Sequence, residues 1–95
     1  MNIFSLKGKT ALVTGAIGLL GQEHCKALSE AGANVIIADL NLDACKKLSS
    51  ELRSDSLPIE LDVTSKDSII SALNMGIAKY GKIDILVNNA AINDM

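Results

Sequence analysis

Three evenly spaced glycines, Gly15, Gly18 and Gly21, follow the short apolar run 11–13 and open a helix-like run from Leu19 to Ala31. Glycines between a buried strand and a helix are typical of a phosphate-binding turn. The first permits a tight turn, the second lets the backbone approach a pyrophosphate, and the third lets helix and strand pack closely. The helix N-terminus then offers free N–H donors to an anion. The alternative is an ordinary strand–turn–helix corner, because glycine is also the default residue of tight turns.

A single carboxylate, Asp39, ends the second apolar run and lies 18 positions after Gly21. A dinucleotide-binding turn has an acidic residue ~20 positions further on, where it accepts hydrogen bonds from the ribose of the adenosine. A carboxylate there repels a 2′-phosphate, and the segment 33–42 contains no Lys or Arg. The pattern therefore favours NAD over NADP as the cofactor. The alternative is that Asp39 only ends a strand.

Strand-like and helix-like segments alternate along the whole chain, with short connections. The strands are predicted at Lys9–Thr14, Asn34–Asp39, Leu57–Leu61 and Ile83–Val87, and the helices at Leu19–Ala31, Leu42–Arg53 and Ser65–Tyr80. This alternation predicts an α/β fold, a parallel sheet with helices on both faces. Right-handed crossovers and a reversal after the third strand give a Rossmann-type doubly wound sheet in the order 3-2-1-4.

Local signals add detail to this topology. Pro58 places the third strand at an edge of the sheet, and Asn41 is the expected cap of the second helix. Thr64 and Asp67 have the spacing of a capping box at the start of the third helix. Four large apolar residues are expected on the inner face of that helix: Ile69, Ile70, Leu73 and Ile77.

The glycine turn follows the first strand, and the polar segment 88–91 (Asn-Asn-Ala-Ala) follows the fourth. In the order 3-2-1-4 these two strands are neighbours at the point where the strand order reverses. Ligands of open α/β sheets bind in the crevice at the carboxyl ends of the strands at such a point. We therefore expect both segments to line one binding cleft.

Composition excludes several other classes of function. The chain of 95 residues has a net charge of −2, one Phe, one Tyr and no Trp, which argues against a basic or base-stacking surface for nucleic acid. No apolar run reaches the ~18 residues of a membrane span, and residues 1–9 lack the apolar core of a secretory signal. Cys25 and Cys45 are expected to be reduced and buried, which suits a cytoplasmic protein. We expect no metal site, because His24 and Cys25 point to different sides of a helix.

Taken together, these motifs resemble those of the short-chain dehydrogenase/reductase family, in order and spacing over nearly the whole chain. The matching pieces are Thr14-Gly15-x-x-Gly18-x-x-Gly21, Asp39, Asp62-Val63 and Asn88-Asn89-Ala90-Ala91. The resemblance implies the N-terminal, NAD-binding portion of a single dinucleotide-binding domain spanning residues 1–95. It also implies that Asn88 stabilises the central strands. The cofactor-binding residues that it implies are Gly15, Ile17, Gly18, Leu20 and Gly21 at the pyrophosphate, Asp39 and Leu40 at the ribose, Asp62 and Val63 at the adenine, and Asn89, Ala90 and Ile92 towards the nicotinamide.

Two departures from the common family pattern concern the glycines. Most single-domain members have Gly-x-x-x-Gly-x-Gly, which would require a glycine at Leu19, and Ala91 replaces the usual last glycine of Asn-Asn-Ala-Gly. The glycine spacing found here looks like that of the larger, sugar-nucleotide-modifying branch. This mixed signature is similar to dehydrogenases encoded with flagellin-modification or surface-sugar pathways.

The family's catalytic residues, a Ser and a Tyr-x-x-x-Lys, lie beyond the Asn-Asn-Ala motif. Here Tyr80 is the one tyrosine, and Asp84 stands where the lysine would be. We therefore predict no catalytic residue in this chain and no activity of the chain alone. The parent protein is expected to transfer a hydride between NAD and a small alcohol or ketone, and to be a homo-oligomer. The alternative is a stand-alone nucleotide-binding or interaction module; a site for FAD or S-adenosylmethionine is disfavoured by Asp62 and Asn88-Asn89.

Overall fold

The computed structural model describes residues 5–89, which form a four-stranded parallel sheet in the order β3-β2-β1-β4. The predicted fold class, strand order and parallel pairing are confirmed. The elements in chain order are β1 (Thr10–Thr14), α1 (Leu19–Glu30), β2 (Asn34–Asp39), α2 (Leu42–Glu51), β3 (Ser56–Glu60), α3 (Lys66–Tyr80) and β4 (Ile85–Asn88).

The sheet is buried on both faces at its centre. All five residues of β1 are buried, as expected for a parallel strand with helices on either side. Val13 and Ile37 face the core that contains α1 and α2, whereas Leu12 and Ile36 face the core that contains α3. The right-handed crossovers therefore place α1 and α2 on one face and α3 on the other, as predicted.

Side chains adjust the boundaries of two elements. Strand β4 begins at Ile85, two residues later than predicted. The Asp84 carboxylate accepts the Thr10 N–H at 2.8 Å and so replaces a bond of the strand ladder there. The cap of α3 is Ser65, whose hydroxyl accepts the Ser68 N–H at 3.2 Å.

The capping box expected at Thr64 and Asp67 is therefore wrong. The Asp62 carboxylate accepts both the N–H of Thr64, at 2.9 Å, and its hydroxyl, at 2.6 Å. A carboxylate two residues away competes successfully for the Thr64 hydroxyl, because the local turn needs no further ordering of the chain. The other expected cap is confirmed: the Asn41 side chain accepts the Ala44 N–H at 3.0 Å.

Helix α3 packs on the sheet through small residues. Ala72 and Gly76 are its buried positions, whereas Ile70 is 45% exposed and Ile77 is 49% exposed. The expectation that Ile70 and Ile77 lie on the inner face is wrong. Leu73 does pack against the core, and Ile69, although 38% exposed, lines the apolar cavity between the helix and the sheet. The small side chains bring the helix close to Ile36, and the large ones flank the contact instead of filling it.

We predict that Gly76→Val destabilises the protein by about 1–3 kcal/mol through overpacking. A Cβ atom at Gly76 would lie 2.5 Å from Cδ1 of the fully buried Ile36. Ala78→Val is the control, because Ala78 is exposed on the same helix and reports only the loss of helix propensity. Urea unfolding of the two variants measures the difference; equal midpoints would contradict this close packing.

Both cysteines are free and fully buried in the core beneath α1 and α2. Burial raises the pKa of the Cys25 thiol to about 12 and that of Cys45 to about 11. The thiolate is the reactive form of cysteine, so neither thiol is suited to act as a nucleophile near neutral pH. The expectation that both thiols are buried is confirmed.

Candidate cofactor-binding site

The carboxyl ends of all four strands lie at one edge of the sheet, because the strands are parallel. At this edge the Thr14 hydroxyl donates to Oδ1 of Asn88 at 2.7 Å, which ties the end of β1 to the end of β4. The backbone continues this link, since the Asn89 N–H bonds the Thr14 carbonyl at 3.1 Å. The start of the glycine turn therefore meets Asn88 and Asn89 where the strand order reverses, as predicted; Ala90 and Ala91 lie outside the described residues.

The three glycine positions of the turn differ in whether the backbone requires glycine there. Gly15 has a φ of +62°, a left-handed conformation that favours glycine. A Cβ atom at Gly21 would overlap the Gly15 carbonyl oxygen and lie 2.8 Å from Cα of Ala16. A Cβ atom at Gly18 would meet one atom only, the same oxygen at an ordinary 3.4 Å. The fold therefore requires glycine at positions 15 and 21, but leaves position 18 free for a small side chain.

The N-terminus of α1 is open to an anion. Its cap, Gly18, offers no side chain, and the first turn contains no acidic residue, whereas α2 and α3 each have a side-chain cap and an aspartate in the first turn. Gln22 donates the first helical backbone bond, to the Gly18 carbonyl at 2.9 Å. The N–H groups of residues 19–21 have no partner within the helix, and they carry the positive end of its dipole.

Asp39 lies directly beside this turn. One oxygen of its carboxylate accepts the Ile17 N–H and the other accepts the Asn41 N–H, both at 3.2 Å. An ionised carboxylate has about four lone-pair sites, so two remain for a ligand. Asp39 is half-buried and the neighbouring Leu40 is 67% exposed. The arrangement can accept two further hydroxyl donors next to the open helix N-terminus.

Asp62 and Val63 follow β3 and have different surroundings. The hydrogen bonds from the Thr64 hydroxyl and N–H lower the pKa of the Asp62 carboxyl, which keeps it ionised. Val63 lines an apolar cavity of about 280 Å³ on the α3 face of the sheet, and Leu12 and Leu86 are also in its wall. Thr14 and Asn88 line the cavity as well, so it reaches the carboxyl edge of the strands. An apolar cavity at this edge suits a flat heterocycle.

Asn89 is the last residue that the structure describes. Its side-chain Nδ2 is buried and has no hydrogen-bond partner among residues 5–89. The predicted contacts of Ala90 and Ile92 lie outside the described residues. The donors and acceptors present suit a dinucleotide: open N–H groups for a pyrophosphate, Asp39 for a ribose and an apolar cavity for a base.

Tyr80 lies at the amino ends of the strands, away from the cleft at their carboxyl ends. It ends α3 and donates its hydroxyl to Asp55, just before β3, at 2.9 Å. Burial and this hydrogen bond raise the pKa of the Tyr80 hydroxyl above its ordinary value. Tyr80 is therefore a structural residue and not an acid or base of the cleft. Within residues 5–89, no three His, Cys, Asp or Glu side chains are grouped so that they could hold a metal ion.

Two contacts of the site were not predicted from sequence. The Gln22 side chain donates Nε2–H to the Ile17 carbonyl at 2.7 Å, and the Ile17 N–H is occupied by Asp39. The position of Gln22, in the first turn of a helix beside a glycine loop, was the available signal. The Ile17 N–H could not be assigned from sequence, because its partner is 22 residues away.

The family model for short chain dehydrogenases matches residues 9–95. The chain belongs to this family. Its curated relatives include the sorbitol dehydrogenase of Cereibacter sphaeroides, 42% identical over 90 residues that cover 95% of this chain and 35% of the relative. Tropinone reductase-like 1 of Erythroxylum coca is 37% identical over 87 residues, which cover 92% of this chain and 32% of that protein.

Solved structures of the family show the same architecture. A hydroxysteroid dehydrogenase from Escherichia coli matches 93% of this short-chain dehydrogenase chain with a TM-score of 0.89 and 35% identity, over 39% of its own chain. A 3-ketoacyl-(acyl-carrier-protein) reductase from Brucella melitensis, complexed with NADH, matches 93% with a TM-score of 0.88 and 35% identity, over 36% of its own chain. The chain thus spans about a third of the length of each of these four relatives. None of the helices within residues 5–89 is long and apolar enough to cross a bilayer.

Proposed function

We propose that this chain is the cofactor-binding portion of an NAD-dependent short-chain dehydrogenase. The observation that carries the proposal is the uncapped N-terminus of α1 beside the Asp39 carboxylate. Two of its relatives at 35–42% identity are named as dehydrogenases, and a third neighbour was solved with NADH. The domain assigned is residues 1–95, as part of a longer dinucleotide-binding domain without its catalytic half.

The bound nicotinamide would accept or supply a hydride in exchange with an alcohol or ketone. The residues of this chain bind and orient the cofactor. The N–H groups of residues 19–21 hold the pyrophosphate at the positive end of α1, and Asp39 and Leu40 hold the ribose. Val63 shields the adenine from water, and Asn89 follows β4 towards the nicotinamide. Substrate contacts belong to the rest of the polypeptide.

NAD is the proposed cofactor rather than NADP. Asp39→Ala should weaken NAD binding by about 1–3 kcal/mol, because it leaves two ribose hydroxyls without a buried acceptor. Titration of the full-length protein with NAD and NADP measures the ratio of the two Kd values. In the Asp39→Ala variant this preference for NAD should become smaller, because the carboxylate that repels the 2′-phosphate is removed. Asp43→Ala is the control, an exposed acid in the first turn of α2. Tighter binding of NADP by the unaltered protein would contradict the proposal.

The 95-residue chain alone should not transfer a hydride. Its one tyrosine is at the edge of the sheet opposite the cleft, and the hydroxyl is bonded to Asp55. The test is NADH oxidation by the purified chain with a panel of ketones. Any turnover above that of a Gly21→Ala control would reveal an acid–base pair elsewhere in the chain.

The alternative is a nucleotide-binding or interaction module without chemistry. Its favouring observation is that the described residues contain no acid–base pair at the cleft. A full-length gene that encodes a Tyr-x-x-x-Lys segment downstream would exclude it. For the enzyme we propose a small-molecule substrate, a homo-oligomeric assembly and a cytoplasmic location; the two free, buried cysteines fit a reducing compartment.

A further inference from the structure

The N–H and the C=O of Ile17, which belong to two successive peptide units, are each bonded to a side chain from a different element. On one side, its N–H donates to the Asp39 carboxylate at the end of β2, at 3.2 Å. On the other side, its carbonyl accepts Nε2–H from Gln22 in the first turn of α1, at 2.7 Å. Neither of the two peptide units that flank Ile17 can rotate without breaking its bond to a side chain.

Backbone bonds also hold this turn. The Ala16 N–H bonds the Ala38 carbonyl and the Gly18 N–H bonds the Gly15 carbonyl, each at 3.1 Å. The Gly18 N–H is in the same planar peptide unit as the Ile17 carbonyl, so this unit has one backbone bond and one side-chain bond, the latter from Gln22. Gln22 therefore supplies the second of the two bonds that orient the last peptide unit before the helix.

We propose that Gln22 is a positioning residue for the pyrophosphate: it helps to fix the peptide unit between Ile17 and Gly18 and so aims the open N–H groups of residues 19–21. This inference rests on the proposed function. Donors that point away from the ligand would bind it weakly, because a hydrogen bond weakens steeply as the donor–hydrogen–acceptor angle decreases. Gln22 itself is half-buried and uses its Nε2 donor on the protein, so its role is to support the backbone rather than to contact the ligand.

Asp39 cannot test this idea alone, because it also serves the ribose. Gln22→Met can, since methionine has a similar length and helix propensity but no N–H donor. Glu23→Met is the matched control: Glu23 is the exposed next residue of the same turn. Gln22→Lys restores a donor on a side chain of similar stem length and serves as the rescue variant.

The first measurement is calorimetric titration of the full-length variants with NAD, ADP-ribose and adenosine. Gln22→Met should weaken NAD and ADP-ribose by about 3- to 10-fold, the value of one net hydrogen bond. Adenosine, which has no phosphate, should bind unchanged, and Gln22→Lys should recover part of the loss. Equal weakening of all three ligands, or no weakening of any, would overturn the positioning role.

The second measurement needs no ligand. The Gly18 N–H reports on the peptide unit that Gln22 bonds. Its amide hydrogen exchange in the ligand-free protein should be faster in Gln22→Met, by about tenfold, and unchanged in Glu23→Met. Unchanged exchange at Gly18 would overturn the inference whatever the titrations show. If the unaltered protein binds neither NAD nor ADP-ribose, the proposed function fails, and the exchange experiment still decides whether Gln22 holds Ile17.

Discussion

Replacing Gly21 with alanine should strongly destabilise the domain, whereas replacing Gly18 with alanine should leave it folded and weaken cofactor binding. At Gly21 the new methyl group would overlap backbone atoms of Gly15 and Ala16, which cannot move aside as a flexible side chain can. We expect a loss of about 3 kcal/mol or more, at the upper end of overpacking effects. That is a large share of the roughly 5–15 kcal/mol that stabilises a typical domain.

The Gly18 variant separates folding from binding. Gly18 has φ −63° and ψ 164°, a conformation open to any residue, and its Cβ would meet no atom closer than 3.4 Å. Stability should fall by about 1 kcal/mol or less, since alanine is a poorer cap than glycine. The methyl group would occupy the space that a pyrophosphate needs next to the N–H groups, so the Kd for NAD should rise at least about tenfold.

Thermal unfolding and NAD titration of both variants, made in the full-length protein, check these results. The two substitutions add the same atom three residues apart, so each controls for the other. Unimpaired NAD binding by a folded Gly18→Ala protein would show that position 18 does not face the pyrophosphate. A normal melting temperature for Gly21→Ala would show that α1 and the turn are further apart than described.

The fold was predictable because the strong signals in the sequence agree with one another. The apolar runs of β1 and β2 are continuous, as in strands that are buried on both faces. Strands and helices also alternate with short connections between them, which is typical of parallel strands joined by helical crossovers. Pro58 does lie in the edge strand β3, as expected from its missing N–H. The carboxyl edge, and with it the place of Gly15 and Asp39, follows from this topology alone.

The errors have a common physical origin, the choice between competing partners. In α3, the large apolar residues suggested which face is buried. The helix lies so close to Ile36 that the small residues Gly76 and Ala72 are buried instead. At the start of α3, Asp62 took the Thr64 hydroxyl before it could act as a cap. The first of these contacts depends on the distance between segments that are far apart in sequence, and the second depends on the geometry of a local turn. The periodicity of apolar residues encodes neither.

The isolated 95-residue chain should associate at micromolar concentration instead of sedimenting as a monomer of 10.0 kDa. Within residues 5–89, β4 pairs with β1 on one side only, and Leu86 on this strand is 64% exposed. Beside it, across the apolar cavity, Ile69 is 38% exposed. We expect the open edge of β4 and the uncovered apolar face beside it to form more contiguous apolar surface than the few hundred Å² that soluble monomers tolerate.

Leu86→Lys combined with Ile69→Lys should shift the sedimentation distribution towards the monomer, because two charges would have to be desolvated on association. Leu40→Lys is the matched control: Leu40 is as exposed as Leu86, at 67%, but follows β2 and lies away from the cavity. Analytical ultracentrifugation of the three chains at several concentrations measures the effect. A cooperatively unfolding monomer of the unaltered chain would mean that the α3 and β4 surface is covered by the chain's own remaining residues.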